Sequence, residues 1–257
     1  MKLTVLGSGT FFVRPDQTAS SFLLEINNKK ILIDCGPGTL YRLSQLNIKP
    51  EDLDYVFLTH FHPDHSSDLF PLFMSVRLND LFSPGSVTKF PEFYGPVGLD
   101  QFMLDYSNLT ELKAVENWDK IKFNEYQDSH QLDNIVVKSF KVVHEAFRFP
   151  TRAYSLRFEA EGKIITFSGD CANCQGIKDA TRDSDLFICD ASFPAGMKGN
   201  VHMDTIDIGE ICRDSQVKKV LLTHFYPQFE KTDFVAEVQK NFSGEVSCCH
   251  DQMEIIL

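Results

Sequence analysis

Short apolar runs rich in Val, Ile and Phe recur along the chain, at residues 3–6, 22–26, 30–33, 55–58, 135–137, 164–167, 186–189 and 220–222. Several are apolar nearly throughout, a pattern that predicts strands covered on both faces. Gly, Asn and Asp punctuate them, and Asn27-Asn28 between two early runs predicts a hairpin turn. Other stretches carry helical spacing. Residues 67–81 hold Leu69, Phe70, Phe73, Met74 and Leu78 three and four apart. Residues 205–213 hold Ile206, Ile208 and Ile211 behind a cap at Asp204 or Thr205. Residues 232–242 form a third candidate, with Gly244 as a stop. Strands with helices in each half predict helices packed outside a sheet sandwich. With no linker, repeat or low-complexity run, residues 1–257 read as a single domain whose halves meet near 117–129.

Composition narrows this picture. A chain of 257 residues, 43% hydrophobic and 24% charged, can bury a core without disulfides or a structural metal. Seven cysteines is an odd count, and the opening reaches Gly7 too soon for a signal peptide. Nothing approaches eighteen consecutive apolar residues. Together these predict reduced thiols, a cytoplasmic location and no membrane span. The formal net charge of −11 counts against gripping a long nucleic acid through its phosphates.

The densest chemistry is Thr59-His60-Phe61-His62-Pro63-Asp64-His65, directly after the apolar run 55–58. His60 and His62 are two apart, so an extended backbone places both on one side. Pro63 ends the strand and lets Asp64 and His65 turn back toward the same point. Imidazole nitrogen and carboxylate oxygen suit zinc, manganese or iron. Three more donors sit at or just past the end of an apolar run: His144, Asp170 and His224. Alone, each reads as a capping or hydrogen-bonded residue. The repeated placement matters, because parallel-type sheets carry their sites beyond strand ends.

The order His60-x-His62-x-Asp64-His65, His144, Asp170, His224 resembles the metallo-β-lactamase-fold hydrolases. So do Leu6-Gly7-Ser8-Gly9-Thr10, Asp34-Cys35-Gly36-Pro37-Gly38 and the closing strand at 253–257. The resemblance implies a four-layer αββα sandwich with a dinuclear site. His60, His62 and His144 would hold one metal, Asp64, His65 and His224 the other, and Asp170 would bridge them, with zinc as the first candidate. Asp34 would order the loop beneath. True lactamases carry Cys where Asp170 stands. Within the superfamily, Glu92-Phe93-Tyr94-Gly95-Pro96-Val97-Gly98, Leu222-Thr223-His224-Phe225 and Gly199-Asn200-Val201-His202-Met203 resemble the ribonuclease Z branch. There, a histidine at the His202 position helps protonate or stabilise the leaving phosphate, and an acid at the Asp190 position orients it. Asp64 would both bind metal and take the proton of the attacking water.

Ribonuclease Z also inserts a long tRNA-binding arm between the motifs equivalent to His144 and Asp170. Here only residues 145–169 separate them, most of which two strands need. The expected activity is therefore hydrolysis of a small or cyclic nucleotide diester. tRNA 3′-end processing, on an RNA 3′ end, and a glyoxalase II-like thioester hydrolysis stand as alternatives. The thioester reading is weakened because residues 225–257 leave no room for that family's glutathione-binding helices. A homodimer is an expectation by family likeness. Three weaker signals remain. Cys171 and Cys174 form a lone CxxC, read as incidental packing. Phe70, Phe73, Phe82, Phe90 and Phe93 read as core by default, with base stacking or a dimer surface as alternatives. Arg148 and Arg152 are candidates for substrate phosphate.

Overall fold

The computed structural model describes residues 1–12, 14–110, 121–145, 151–197 and 199–257. In chain order the first half contains β1 (Lys2–Gly7), β2 (Ser21–Ile26), β3 (Lys29–Ile33), α1 (Thr39–Gln45), β4 (Tyr55–Phe57), α2 (Pro63–Ser66), α3 (Leu69–Phe82), β5 (Glu92–Gly95), α4 (Leu99–Leu109) and β6 (Phe123–Glu125). The second contains β7 (Ser129–Leu132), β8 (Ile135–Val142), β9 (Ala153–Ala160), β10 (Lys163–Phe167), α5 (Gln175–Thr181), β11 (Leu186–Asp190), α6 (Thr205–Asp214), β12 (Lys219–Thr223), α7 (Phe234–Gln239), β13 (Glu245–Cys248) and β14 (Glu254–Ile256).

The strands form two seven-stranded sheets, ordered β14-β1-β2-β3-β4-β5-β6 and β13-β12-β11-β10-β9-β8-β7. The last strand crosses back to the first sheet, where Ile255 lies opposite Leu3. Residues 126–128 carry the chain from β6, at one end of the first sheet, to β7, at one end of the second.

Alternation along the strands builds the layers. Phe22, Leu24, Ile31, Ile33 and Phe57 of the first sheet meet Phe158, Phe167, Leu186, Ile188 and Leu221 of the second in a shared core. Leu23, Leu32 and Val56 point the other way and pack with Leu43 of α1, Phe73 of α3 and Met103 of α4. Phe187, Val220 and Leu222 likewise turn outward, against Ile177 of α5, Ile208 of α6 and Val238 of α7. Strands apolar on both faces therefore sit between helices, giving the αββα sandwich.

The expected turn at Asn27-Asn28 joins β2 to β3, with φ of 49° and 63°. Two successive left-handed residues match the twist of the flanking strands. The helix expected over 67–81 begins at Leu69. Asp204 caps α6 by accepting from Asp207 N at 2.9 Å. The helix expected over 232–242 is shorter, because Asp233 caps it by accepting from Ala236 N. Helices α1, α4 and α5 were not foreseen; α1 and α4 each follow a glycine with φ near 95°, Gly38 and Gly98.

Sheet direction decides where function gathers. β3 and β4 run parallel, as do β10, β11 and β12. β8 runs antiparallel to β9, and β9 antiparallel to β10, so β8 ends at the same edge as β10. The chain leaves that edge at Asp34, Thr59, His144, Asp170, Asp190 and His224. The interval between His144 and Asp170 is mostly taken up by β9, the Glu161-Gly162 turn and β10.

Candidate metal centre

His60 and His62 leave β4 in extended backbone, and Pro63 opens α2, whose single turn swings Asp64 and His65 back inward. This tight return needs Gly36: a Cβ there would lie 2.1 Å from the Asp64 carbonyl oxygen. Gly169 has φ of +58°, where a Cβ would meet Thr59 at 2.8 Å, so the turn into Asp170 also requires glycine. Asp34 and His224 hold left-handed backbone at φ of 56° and 63°, a strained conformation kept where the surroundings over-determine it.

Three groups of donor atoms result, two of them carrying the expected ligands and the third joining Asp170 and His224 to Asp190 and His202. His60, His62, His144 and Asp170 each place a ligand atom within 4.8 Å of one another, as do Asp64, His65, Asp170 and His224. Asp170 belongs to all three. Its Oδ2 is 3.8 Å from His60 Nε2 and 3.9 Å from His144 Nε2. Its Oδ1 is 3.2 Å from His65 Nε2 and 3.5 Å from His224 Nε2. Asp64 Oδ2 lies 3.3 Å from His224 Nε2. Donors at about 2.0–2.1 Å around a tetrahedral cation lie about 3.4 Å apart, so these separations fit. Two buried atoms, His60 Nε2 and Asp64 Oδ1, have no hydrogen-bond partner. Orphaned buried polar atoms are costly unless something satisfies them, and a cation in each of their groups would.

The outer hydrogen bonds set which imidazole nitrogen faces inward. His65 Nδ1 donates to Asp34 Oδ2 at 2.7 Å. Thr59 donates its hydroxyl to Asp34 and so accepts from His60 Nδ1 at 3.0 Å. His144 Nδ1 donates to the Val201 carbonyl at 2.8 Å. His224 Nδ1 donates to Ser192 Oγ at 2.9 Å, which in turn bonds Asp190 Oδ1 at 2.6 Å. These four rings therefore present Nε2 lone pairs to the cluster, while His62 presents Nδ1, 3.2 Å from His144 Nε2. Burial, reinforced by neighbouring imidazoles, pushes the pKa values of His60, His62 and His144 below the ordinary histidine value, so they are neutral. Burial opposes ionisation of Asp170, but His224 and His65 hold it well below the usual carboxylate range. Burial also disfavours charge on His65, yet Asp170 and Asp34 raise its pKa well above ordinary. A bound cation would displace that proton.

His202, in the third group, is buried, its ring centroid 5.3 Å from that of His144. Its Nδ1 meets Asp190 Oδ2 at 2.6 Å, and its Nε2 is 3.3 Å from Tyr226 Oη. Burial lowers its pKa, and the Asp190 carboxylate more than reverses this, raising it to about 9. A group raised on folding stabilises fully below its unfolded value, near 6.5, and loses that contribution as pH rises through the folded one. In metal-free protein the His202–Asp190 pair is thus expected to contribute about 3 kcal/mol at pH 6 and little at pH 10. Urea unfolding of wild type and His202→Asn at both pH values measures it; an equal gap at both would contradict the pairing.

Thr59, Ser192, Val201 and Tyr226 were missed by the sequence reading. Their residue types are common, and no local pattern marks them. Asp34 bonds His65, and Asp190 bonds His202. Thr59→Val is expected to weaken metal affinity about 10-fold or more by freeing the His60 ring; metal titration with a competing chelator measures this.

Arg152 is exposed and donates to the Val97 carbonyl at 2.7 Å, against the loop after β5. Arg148 lies outside the described residues. Cys171 is buried in the core beneath α5–α7, and Cys174 caps α5 from outside it; neither joins a donor group among the described residues. Phe70, Phe73 and Phe93 are core, Phe90 packs on it, and Phe82 is exposed.

Helices outside two sheets, with histidine and aspartate donors gathered at one strand edge, define a metallo-β-lactamase-fold hydrolase that uses divalent metal ions. The chain belongs to the family described as anti-Pycsar protein Apyc1, whose model matches residues 1–246. The probable metallo-hydrolase YhfI of Bacillus subtilis is 26% identical over 96% of both chains. Its crystal structure superposes with a TM-score of 0.82 at 23% identity, covering 99% of this chain and 98% of that one. Ribonuclease Z of Clostridioides difficile is 24% identical, covering 99% and 98%. Human tRNase Z, short form, shares the fold at a TM-score of 0.75 and 23% identity, covering 100% and 99%. No helix among the described residues is long and apolar enough to cross a membrane.

Proposed function

We propose that this chain, as a single hydrolase domain, is a dinuclear phosphodiesterase that opens the phosphodiester ring of a cyclic nucleotide. The observation that carries this is a carboxylate shared between donor groups, Asp170, with His202 buried beside it and held at Nδ1 by Asp190 at 2.6 Å. His60, His62 and His144 would hold one cation, Asp64, His65 and His224 the other, and Asp170 both. When bound, the cations supply a water of lowered pKa and neutralise charge on the phosphoryl oxygens, and zinc suits these ligand types. Asp64, besides holding a cation, would accept the proton of the attacking water. His202, kept protonated and oriented by Asp190, delivers a proton to the departing ribose oxygen. Asp34, through His65 and Thr59, holds the rings in place.

A small substrate is favoured because the stretch between His144 and Asp170 holds two strands and no arm-sized insertion. The anti-Pycsar family points the same way, to cyclic nucleotides, and the ribonuclease Z relatives point to phosphodiesters. Assaying metal-loaded protein against cyclic nucleotides, an activated diester, a tRNA precursor and a glutathione thioester tests this. Turnover of cyclic nucleotides is the expected result. Cleavage of the thioester alone, or of the tRNA precursor alone, would overturn it.

A further inference from the structure

We propose that Phe11 and Phe12, on the loop between β1 and β2, form a stacking platform for the nucleobase of the substrate. This rests on the phosphodiesterase reading and adds to it the subsite that takes the base. β1 runs parallel to β3, since both pair antiparallel with β2, so this loop emerges at the edge that carries the metal ligands.

Each of the two rings packs against a ring of the site. Phe11 lies 6.5 Å, centroid to centroid, from His62. Phe12 lies edge-on to Tyr226 at 5.8 Å, and Tyr226 in turn reaches His202. Phe11 is 51% exposed and Phe12 44%. Adjacent aromatic rings left half in water beside a polar centre are the pattern of a ligand surface. Phe11 also walls an apolar cavity of about 260 Å³ whose other side is Pro37, Pro63 and Asp64. That is slightly below the roughly 300–1,000 Å³ of pockets that enclose drug-sized ligands, which suits one ring system held next to the phosphate site.

The loop is held in place beforehand. Asp251, between β13 and β14, takes Ser8 N and Oγ on Oδ1, each at 2.9 Å. On Oδ2 it takes Thr18 N at 2.8 Å, Thr18 Oγ at 3.0 Å and Arg42 at 2.7 Å. Both ends of the loop are thereby fastened to one carboxylate, which limits the ordering entropy lost when a base stacks.

The test separates base binding from catalysis. Calorimetry on metal-loaded protein compares a nucleoside 5′-monophosphate with ribose 5-phosphate, for wild type, Phe11→Ala, Phe12→Ala and Phe11→Tyr. Wild type is expected to prefer the nucleotide by about 5- to 100-fold. Phe11→Ala and Phe12→Ala should reduce that preference while binding ribose 5-phosphate as before, and Phe11→Tyr should restore it. No preference in wild type, or a preference unchanged in both alanine variants, would overturn the platform. So would an alanine variant that changes only the oligomeric state in sedimentation, since the rings would then face a second copy of the chain. Because binding is read directly, these outcomes stand whether or not any phosphodiester is turned over.

Discussion

Asp170→Asn is expected to remove metal and turnover together. In the native chain one carboxylate faces both groups of expected ligands, Oδ2 toward His60 and His144 and Oδ1 toward His65 and His224. An amide keeps the shape but offers one neutral oxygen and one NH₂, and the NH₂ would point a donor at a cation. If the centre is dinuclear as proposed, metal content should fall from two equivalents per chain toward one or none, and turnover by at least about 10³-fold, the effect of losing about 4 kcal/mol of charge stabilisation. Elemental analysis of dialysed protein, beside steady-state rates and a circular-dichroism check of folding, measures both. A folded variant that retains both equivalents and turns over within tenfold of wild type would sink the bridging role.

His202→Ala has the opposite signature. No metal-facing imidazole is hydrogen-bonded directly to its ring, since His144 bonds the Val201 carbonyl and His224 bonds Ser192. Metal content should stay at the wild-type level. Turnover of a cyclic nucleotide, whose leaving ribose oxygen is a poor leaving group, should fall by about 10²–10⁴-fold, the usual worth of a positioned general acid. A p-nitrophenyl phosphodiester loses a stable phenolate and needs no proton, so its hydrolysis should fall far less, by about tenfold or under. Equal losses on both substrates would rule out proton donation and leave His202 a packing residue. Metal loss matching that of Asp170→Asn would put it among the ligands.

Much of this site was legible before any coordinates. His60, His62, Asp64 and His65 announce themselves because four donors follow one buried strand within six residues. His144, Asp170 and His224 repeat that placement singly, and the family resemblance put all seven in one order. The structure brings them to one edge. Arg152, near His144 in sequence, gives one guanidinium N–H to the Val97 carbonyl.

The amino-acid sequence by itself determined the layers and the donors. Period-two alternation within doubly apolar strands sends Phe22, Leu24 and Ile31 to one core and Leu23 and Leu32 to another. Donor residue types are also set locally, at strand ends. Only the tertiary structure decided what surrounds the donors. Thr59, Ser192, Tyr226 and the Val201 carbonyl are ordinary groups whose roles come from partners tens of residues away or more in most cases. The same holds for the two faces of Asp170 and for the Asp251 clasp on Ser8 and Thr18, which joins the last loop to the first. A hydrogen bond is a matter of directions and a few tenths of an ångström between distant segments. No local pattern of residues encodes that distance, so these contacts exist as information only once both sheets have packed.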